Sequence, residues 1–189
     1  MTVLCADICL PLALSASSGA MRHHWKAFFA RHEPHCGSVQ VGLKSGAGGM
    51  LGMGLVGGAA AFTSLPLLIA PFGASAVLLF GHPSSPLAQP ANVIGGYALS
   101  VTVGIVFTLL FPGAWWAAAL GVGLAILAML LLRVSHPPAG AVPVLMAASP
   151  IDPFELSGIV IAGAVCLVAV ASLYHRLPPR HHEYPRRAG

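Results

Sequence analysis

The chain has 189 residues, of which 57% are hydrophobic and 7% charged, and its formal net charge is +4. Soluble domains carry roughly 25% charged residues; here 9 Lys and Arg and 5 Asp and Glu are too few to clothe a water-facing surface of this size. Cytosolic enzymes, nucleic-acid-binding domains and secreted disulfide scaffolds are thereby excluded, and a polytopic all-α membrane protein remains.

The first segment, 1–44, reads as a flexible cytoplasmic extension. Val3–Leu14 is apolar and is followed by small residues from Ser15 to Ala20. That is the pattern of the later parts of a signal peptide, yet no Lys or Arg precedes it and Asp7 interrupts it. Met21 is a second candidate start. Cys5, Cys9, Cys36 and Cys166 show neither metal spacing nor a disulfide framework and read as free thiols.

From 45 to 175 the chain is membrane domain. No Lys, Arg, Asp or Glu occurs between Ser45 and Leu132, between Val134 and Ile151, or between Leu156 and His175. A spanning helix needs about 20 apolar residues. Ala47–Phe62, rich in glycines suited to close helix approach, Val93–Phe111, Ala114–Leu132 and Leu156–Tyr174 read as four full spans. Leu65–Phe80 and Pro137–Ala148 are shorter and carry internal prolines. Such pieces persist only when other helices bury them or when they line a polar cavity. They are re-entrant segments or broken spans, giving four or six crossings.

Eight of the nine basic residues flank this block: Arg22, Lys26, Arg31 and Lys44 before it, and Arg176, Arg180, Arg186 and Arg187 after it. The basic tail, 176–189, and the N-terminal segment are both expected on the cytoplasmic side of the inner (plasma) membrane. Six crossings also bring Arg133 to that side and put Asp152 and Glu155 on the other. Trp115 and Trp116 suit an interfacial belt. His23, His24, His181 and His182 lie in the flanks, where nothing fixes a metal geometry, so no metal or other cofactor is expected.

The membrane block repeats. Pro71–Val103 and Pro138–Val170, compared without a gap, share 12 of 33 positions, among them Pro71/Pro138, Gly73/Gly140, Ala74/Ala141 and Gly96/Gly163. Each unit reads long, short, long. Three crossings per unit would insert the second copy upside down, the inverted-repeat plan whose short interrupted segments mark a substrate site. The polar side chains cluster around those segments. Pro71, Phe72, Gly73, Ala74 and Ser75 open the first short helix, and Gln89 and Asn92 precede and open the next span. Arg133, His136, Pro137, Pro138 and Gly140 surround the start of the second short helix. Helix N-termini offer free N–H groups to an anion, and Arg133 and His136 would add to that potential. Each has a plainer reading: Arg133 as a topology anchor, His136, Gln89 and Asn92 as helix caps. The long spans hold no acidic residue, so an acidic proton relay is unsupported. Neither Ser75 nor Ser100 has a His/Asp partner at a recognisable spacing, and no enzymatic activity is expected.

Leu67–Phe80, Ser85–Pro90, Asn92–Gly96 and His136-Pro137-Pro138-Ala139-Gly140-Ala141 together resemble the HPP family of integral membrane proteins, over about Gly46 to Tyr174. The resemblance implies a bundle of four or more spans. Plastid and cyanobacterial relatives are implicated in nitrite transport, so it also implies a transporter or channel for a small inorganic anion. Some relatives carry a further CBS-type domain, and none is expected here. A non-transporting scaffold or sensor acting through helix contacts, with self-association as a homo-oligomer, is the rival expectation. The lipid bilayer is a partner under both, and nucleic acid under neither.

Overall fold

The computed structural model of the chain describes residues 38–63, 69–178 and 183–186. The first 37 residues, with the apolar N-terminal stretch, Met21, Cys5, Cys9, Cys36, His23 and His24, lie outside the described residues, as do His181 and His182.

Six helices form the described bundle: α1 Val39–Thr63, α2 Ala70–Gly81, α3 Pro90–Leu110, α4 Trp115–Leu131, α5 Pro137–Ala148 and α6 Pro153–Tyr174. Prolines set most of their starts. Pro90 opens α3, Pro137 and Pro138 open α5, Pro153 opens α6, and Pro71 stands second in α2. At these positions the missing N–H has no intrahelical partner to lose. Pro143 falls second in the α-helical part of α5, Val142–Ala148, after a 3-10 turn over Pro137–Ala141. It marks that junction without breaking a helix. Asp152 caps α6, its Oδ1 accepting from the Phe154 and Glu155 amides at 2.9 and 3.2 Å.

α1, α3 and α6 are long and apolar enough to cross a membrane. The segment expected as a fourth full span, Ala114–Leu132, forms a helix of 17 residues capped by Ala114 and Leu132, about 26 Å at 1.5 Å per residue and at the lower limit for crossing the hydrocarbon core. Turns clip both of its ends. Gly113 takes φ 73° before it, and Arg133 takes φ 57° after it. There the Val134 amide reaches back to the Met129 carbonyl and the Arg133 amide to that of Leu130, at 3.0 and 3.2 Å. This is a Schellman stop with arginine where glycine is usual. α1 starts eight residues earlier than the apolar run, because Lys44 is accommodated. Its Nζ donates to the Leu177 carbonyl at 2.7 Å and sits over the Tyr174 ring.

α3 and α6 carry the core. The buried face of α3 is Val93, Gly96, Tyr97, Ser100, Val101 and Gly104, and that of α6 runs from Leu156 through Gly163 and Leu167 to Ala171. Both follow the i, i+3, i+4, i+7 stripe of a helix packed on one side. α1 is peripheral and buries only Gly48, Gly52 and Val56. A Cβ on Gly48 or Gly52 would fall within 2.6 to 2.9 Å of the Phe80 and Tyr174 side chains, so this glycine pair is what lets α1 approach.

The chain reverses at every element. Tyr174, ending α6, donates to the Lys44 carbonyl near the start of α1 at 2.9 Å. His175 Nε2 donates to the Leu79 carbonyl near the end of α2 at 2.8 Å. Gly95, near the start of α3, faces Val134 just past α4. Lys44, Arg133 and Arg176 therefore share one end of the bundle, and Asp152 and Glu155 lie at the other end of α6. The tail returns to that basic end. Tyr184 donates to the Ala88 carbonyl at 3.0 Å, and Arg186 donates through Nη1 to the Ser84 carbonyl and through its amide to Gln89 Oε1, both at 2.9 Å. Burial pushes the Tyr184 phenol above its ordinary value.

Candidate functional site

The two short helices meet. His136 stands at the threshold of α5, and its Nε2 lies 2.8 Å from Ser75 Oγ on α2. Ser75 Oγ lies 2.8 Å from the Tyr97 hydroxyl on α3. His136 Nδ1 lies 2.8 Å from the Leu87 carbonyl in the turn between α2 and α3. All three side chains are 0% exposed. Tyr97 is the eighth residue of α3, so the cluster sits roughly 10 Å in from that helix's start.

The proton positions follow from chemistry. A carbonyl only accepts, so His136 Nδ1 carries a proton and donates it to Leu87 O. In the neutral ring Nε2 is then an acceptor, and the Ser75 hydroxyl donates to it. Ser75 Oγ in turn accepts from the Tyr97 hydroxyl. Every proton of the chain is used in one direction: Tyr97 to Ser75 to His136, and His136 to Leu87. The surroundings hold the rings still. Phe72 meets Tyr97 edge-on at 5.7 Å, and the Tyr97 and His136 rings are 5.3 Å apart. Gly96 lets the loop in, for a Cβ there would stand 2.7 Å from His136 Cβ.

The expected site residues divide into groups. Pro71, Phe72 and Ser75 are buried at or beside the cluster, whereas Gly73 is half-buried and Ala74 exposed. Pro138 and Gly140 are buried behind His136, whereas Pro137 is exposed. Asn92 is no helix cap: its Nδ2 donates to the Ser135 carbonyl at 3.1 Å and holds the His136 loop onto α3. Gln89 serves the neighbouring turn instead, donating to the Pro83 and Ser85 carbonyls at 2.9 and 3.0 Å. The exposed Arg133 stays at the basic end. Two of the amides expected to face an anion are used locally: Phe72 N donates to Ile69 O and Ala139 N to His136 O, each at 3.0 Å. Beside the cluster, an apolar groove of about 570 Å³ runs between α4 and α5, lined by Val122, Ile126, Met129 and Val144 and ending at His136.

Sequence spacing hid the central pairing. Ser75 and His136 are 61 residues apart, so the absence of a serine partner nearby in sequence said nothing about one in space. Tyr97 was also missed, though a phenol a third of the way along an apolar span needs a hydrogen-bond partner and so announces one. Tyr184 falls in the segment read as a basic tail, and nothing in the sequence marked it as docked.

A bundle of apolar helices, three of them able to cross a bilayer, folded around one enclosed polar chain, defines an integral membrane protein. The HPP transmembrane region matches residues 34–185, and the chain belongs to the HPP family of membrane proteins. Two relatives from Dictyostelium discoideum, each named only as a transmembrane protein, are 47% identical to it. One aligns over 78 residues (39% of this chain, 25% of the relative), the other over 81 (41% and 28%). The chain thus matches about a quarter of the length of these curated relatives. No solved structure matches it significantly.

Proposed function

We propose that the protein is a membrane transporter or channel for a small inorganic anion of the nitrite type, and not an enzyme. The observation that carries this reading is the Ser75–Tyr97–His136 chain, wholly buried where the two short helices meet. Ionisable and polar groups inside a membrane bundle are costly and ordinarily mark a solute path. The helix packing supports the two-unit plan. Gly96 on α3 receives the start of α5, and its repeat partner Gly163 on α6 receives Phe72 at the start of α2. Each unit's last helix thus houses the other unit's short helix, as an inverted repeat requires. Charge supports both termini on the cytoplasmic side, since Lys44, Arg133 and Arg176 share one end. A Ser–His pair also suits a nucleophile, but Ser75 Oγ is fully enclosed and bonded on both sides. That favours a solute gate over a reaction with a substrate. Purified protein in liposomes is expected to take up nitrite above empty vesicles; no uptake of nitrite or nitrate sinks the reading.

The outer face of α1 favours a second reading, association with a partner helix or a second copy. Leu43, Met50, Leu51 and Leu55 are exposed, and Gly46, Gly49 and Gly54 leave open space beside them. Cysteine cross-linking along α1 in native membranes tests it; cross-links no denser there than on α4 count against it.

A further inference from the structure

We propose that anion movement is tied one-to-one to a proton carried by His136, with the Tyr97–Ser75–His136 chain reversing its direction when that proton binds. The inference rests on the transport reading above and specifies its coupling.

The first argument is charge. An anion taken into a low-dielectric bundle needs a counter-charge. Among the described residues, Lys44, Arg133, Arg176, Glu183 and Arg186 are at the basic end and Asp152 and Glu155 at the opposite end. Apart from His175, also at the basic end against Leu79, Phe80 and Tyr184, His136 is the one buried base among the described residues. The groups that face it are the Ser75 hydroxyl from α2, the Tyr97 phenol from α3 and the Leu87 carbonyl from the turn. Met129 of α4 packs beside it against Gly96. No carboxylate is among these direct partners, so a cationic His136 has no anion in hydrogen-bond contact.

The second argument is directional. Leu87 O holds the Nδ1 proton in place, so an added proton enters at Nε2. Nε2 then donates to Ser75 Oγ, the Ser75 hydroxyl swings to donate to Tyr97 Oη, and the Tyr97 proton is released to point outward. The phenol then has no acceptor among its described partners. An anion oxygen beside Tyr97 supplies one, and it also neutralises the imidazolium. Without the anion, the protonated chain carries an unmet donor and a lone charge; without the proton, the phenol is already engaged and the anion meets no donor. Each ligand stabilises the state that binds the other. No bond to carbon or nitrogen of the anion forms, and the proton leaves from Nε2 as the anion departs.

The test uses purified full-length protein in liposomes with labelled nitrate, which stays ionised and does not leak as a neutral acid. Exchange without gradients establishes anion movement; its absence for nitrate and nitrite alike overturns both readings together. With exchange present, an outside one pH unit more acidic is expected to drive about tenfold accumulation, the ratio of a one-to-one electroneutral symport. A lumenal pH dye is expected to report proton entry. A potential set with valinomycin and potassium is expected to leave the ratio unmoved. Accumulation that follows potential and ignores pH overturns the proton coupling and leaves anion transport standing. Tyr97→Phe and Ser75→Ala are expected to lower the accumulation ratio, an endpoint independent of rate, to about one, while Ser75→Thr restores it. Wild-type ratios in Tyr97→Phe overturn the reversing chain. Should that variant not fold, the dye in the wild-type vesicles still decides whether protons move.

Discussion

Replacing Gly96 with alanine tests whether the closeness of α3 to the His136 loop holds the buried chain together. An added Cβ would stand 2.7 Å from His136 Cβ, 3.2 Å from the Val134 carbonyl oxygen and 3.3 Å from Met129 Sδ. Carbon atoms pack at about 3.5–4.0 Å, so the His136 Cβ must retreat by about 1 Å. Two of the three neighbours belong to backbone or to the root of a side chain, and these do not swing aside. The ring's bonds to Ser75 and Leu87 are both 2.8 Å, and a retreat of that size takes one or both beyond hydrogen-bonding range. Overpacking costs about 1–3 kcal/mol and an orphaned buried polar group about 1–3 kcal/mol. The helix propensity gained from Gly to Ala returns up to about 1 kcal/mol. The net expectation is a loss of about 2–4 kcal/mol. Gly54→Ala is the control: nothing lies within 4 Å of its Cβ, so it is expected to be neutral or stabilising by up to about 1 kcal/mol. Thermal unfolding of both variants in the same detergent compares them. If Gly96→Ala melts with or above Gly54→Ala, the close approach does not carry the load assigned to it.

Further expectations concern other residues of the site and the bundle's basic end. Arg133→Gly removes a non-glycine residue from φ 57° and is expected to stabilise the fold by about 1 kcal/mol; a lower melting temperature means the guanidinium makes contacts worth more than the strain. His136→Ala leaves Ser75 and the Leu87 carbonyl without their partner and is expected to cost about 2–4 kcal/mol and to abolish nitrite uptake, read by unfolding and by vesicle flux; wild-type uptake removes His136 from the path. Tyr184 titrates above its ordinary value near 10 because its neutral form is buried. Its contribution to tail docking is therefore complete below pH 10 and lost as pH rises through the folded value. Limited proteolysis of the tail is expected to be flat from pH 7 to 9.5 and faster above it in the wild type, and fast throughout in Tyr184→Phe if the bond to Ala88 holds the tail. Equal cleavage of the two proteins at pH 8 would falsify that anchor.

The sequence by itself determined the solvent and the segments. Hydropathy and charge are local quantities, so the long charge-free stretches before and after Arg133 are enough to place the chain in a membrane, whereas the helix starts at Pro90 and Pro153 lie three residues before the apolar runs that announced them. The glycines of Ala47–Phe62 were legible as points of close approach for the same reason, since absence of a side chain is written in the sequence, and Gly48 and Gly52 make that approach; that Gly96 and Gly163 do so as well was decided by packing. His136 and Ser75 were legible only as polar residues in an apolar setting. Their partnership was not, because a bond across 61 residues is created by how α2, α3 and α5 cross, and no spacing rule encodes it. Tertiary structure also decided smaller matters. α4 stops at Leu131 because Arg133 adopts a left-handed turn, Asn92 points across to Ser135 rather than capping its own helix, and the basic tail folds back through Tyr184 onto Ala88. For Asn92 and Tyr184 the deciding energy is a hydrogen bond whose partner lies far along the chain, and in a bundle with so few polar groups each of those bonds has few alternatives.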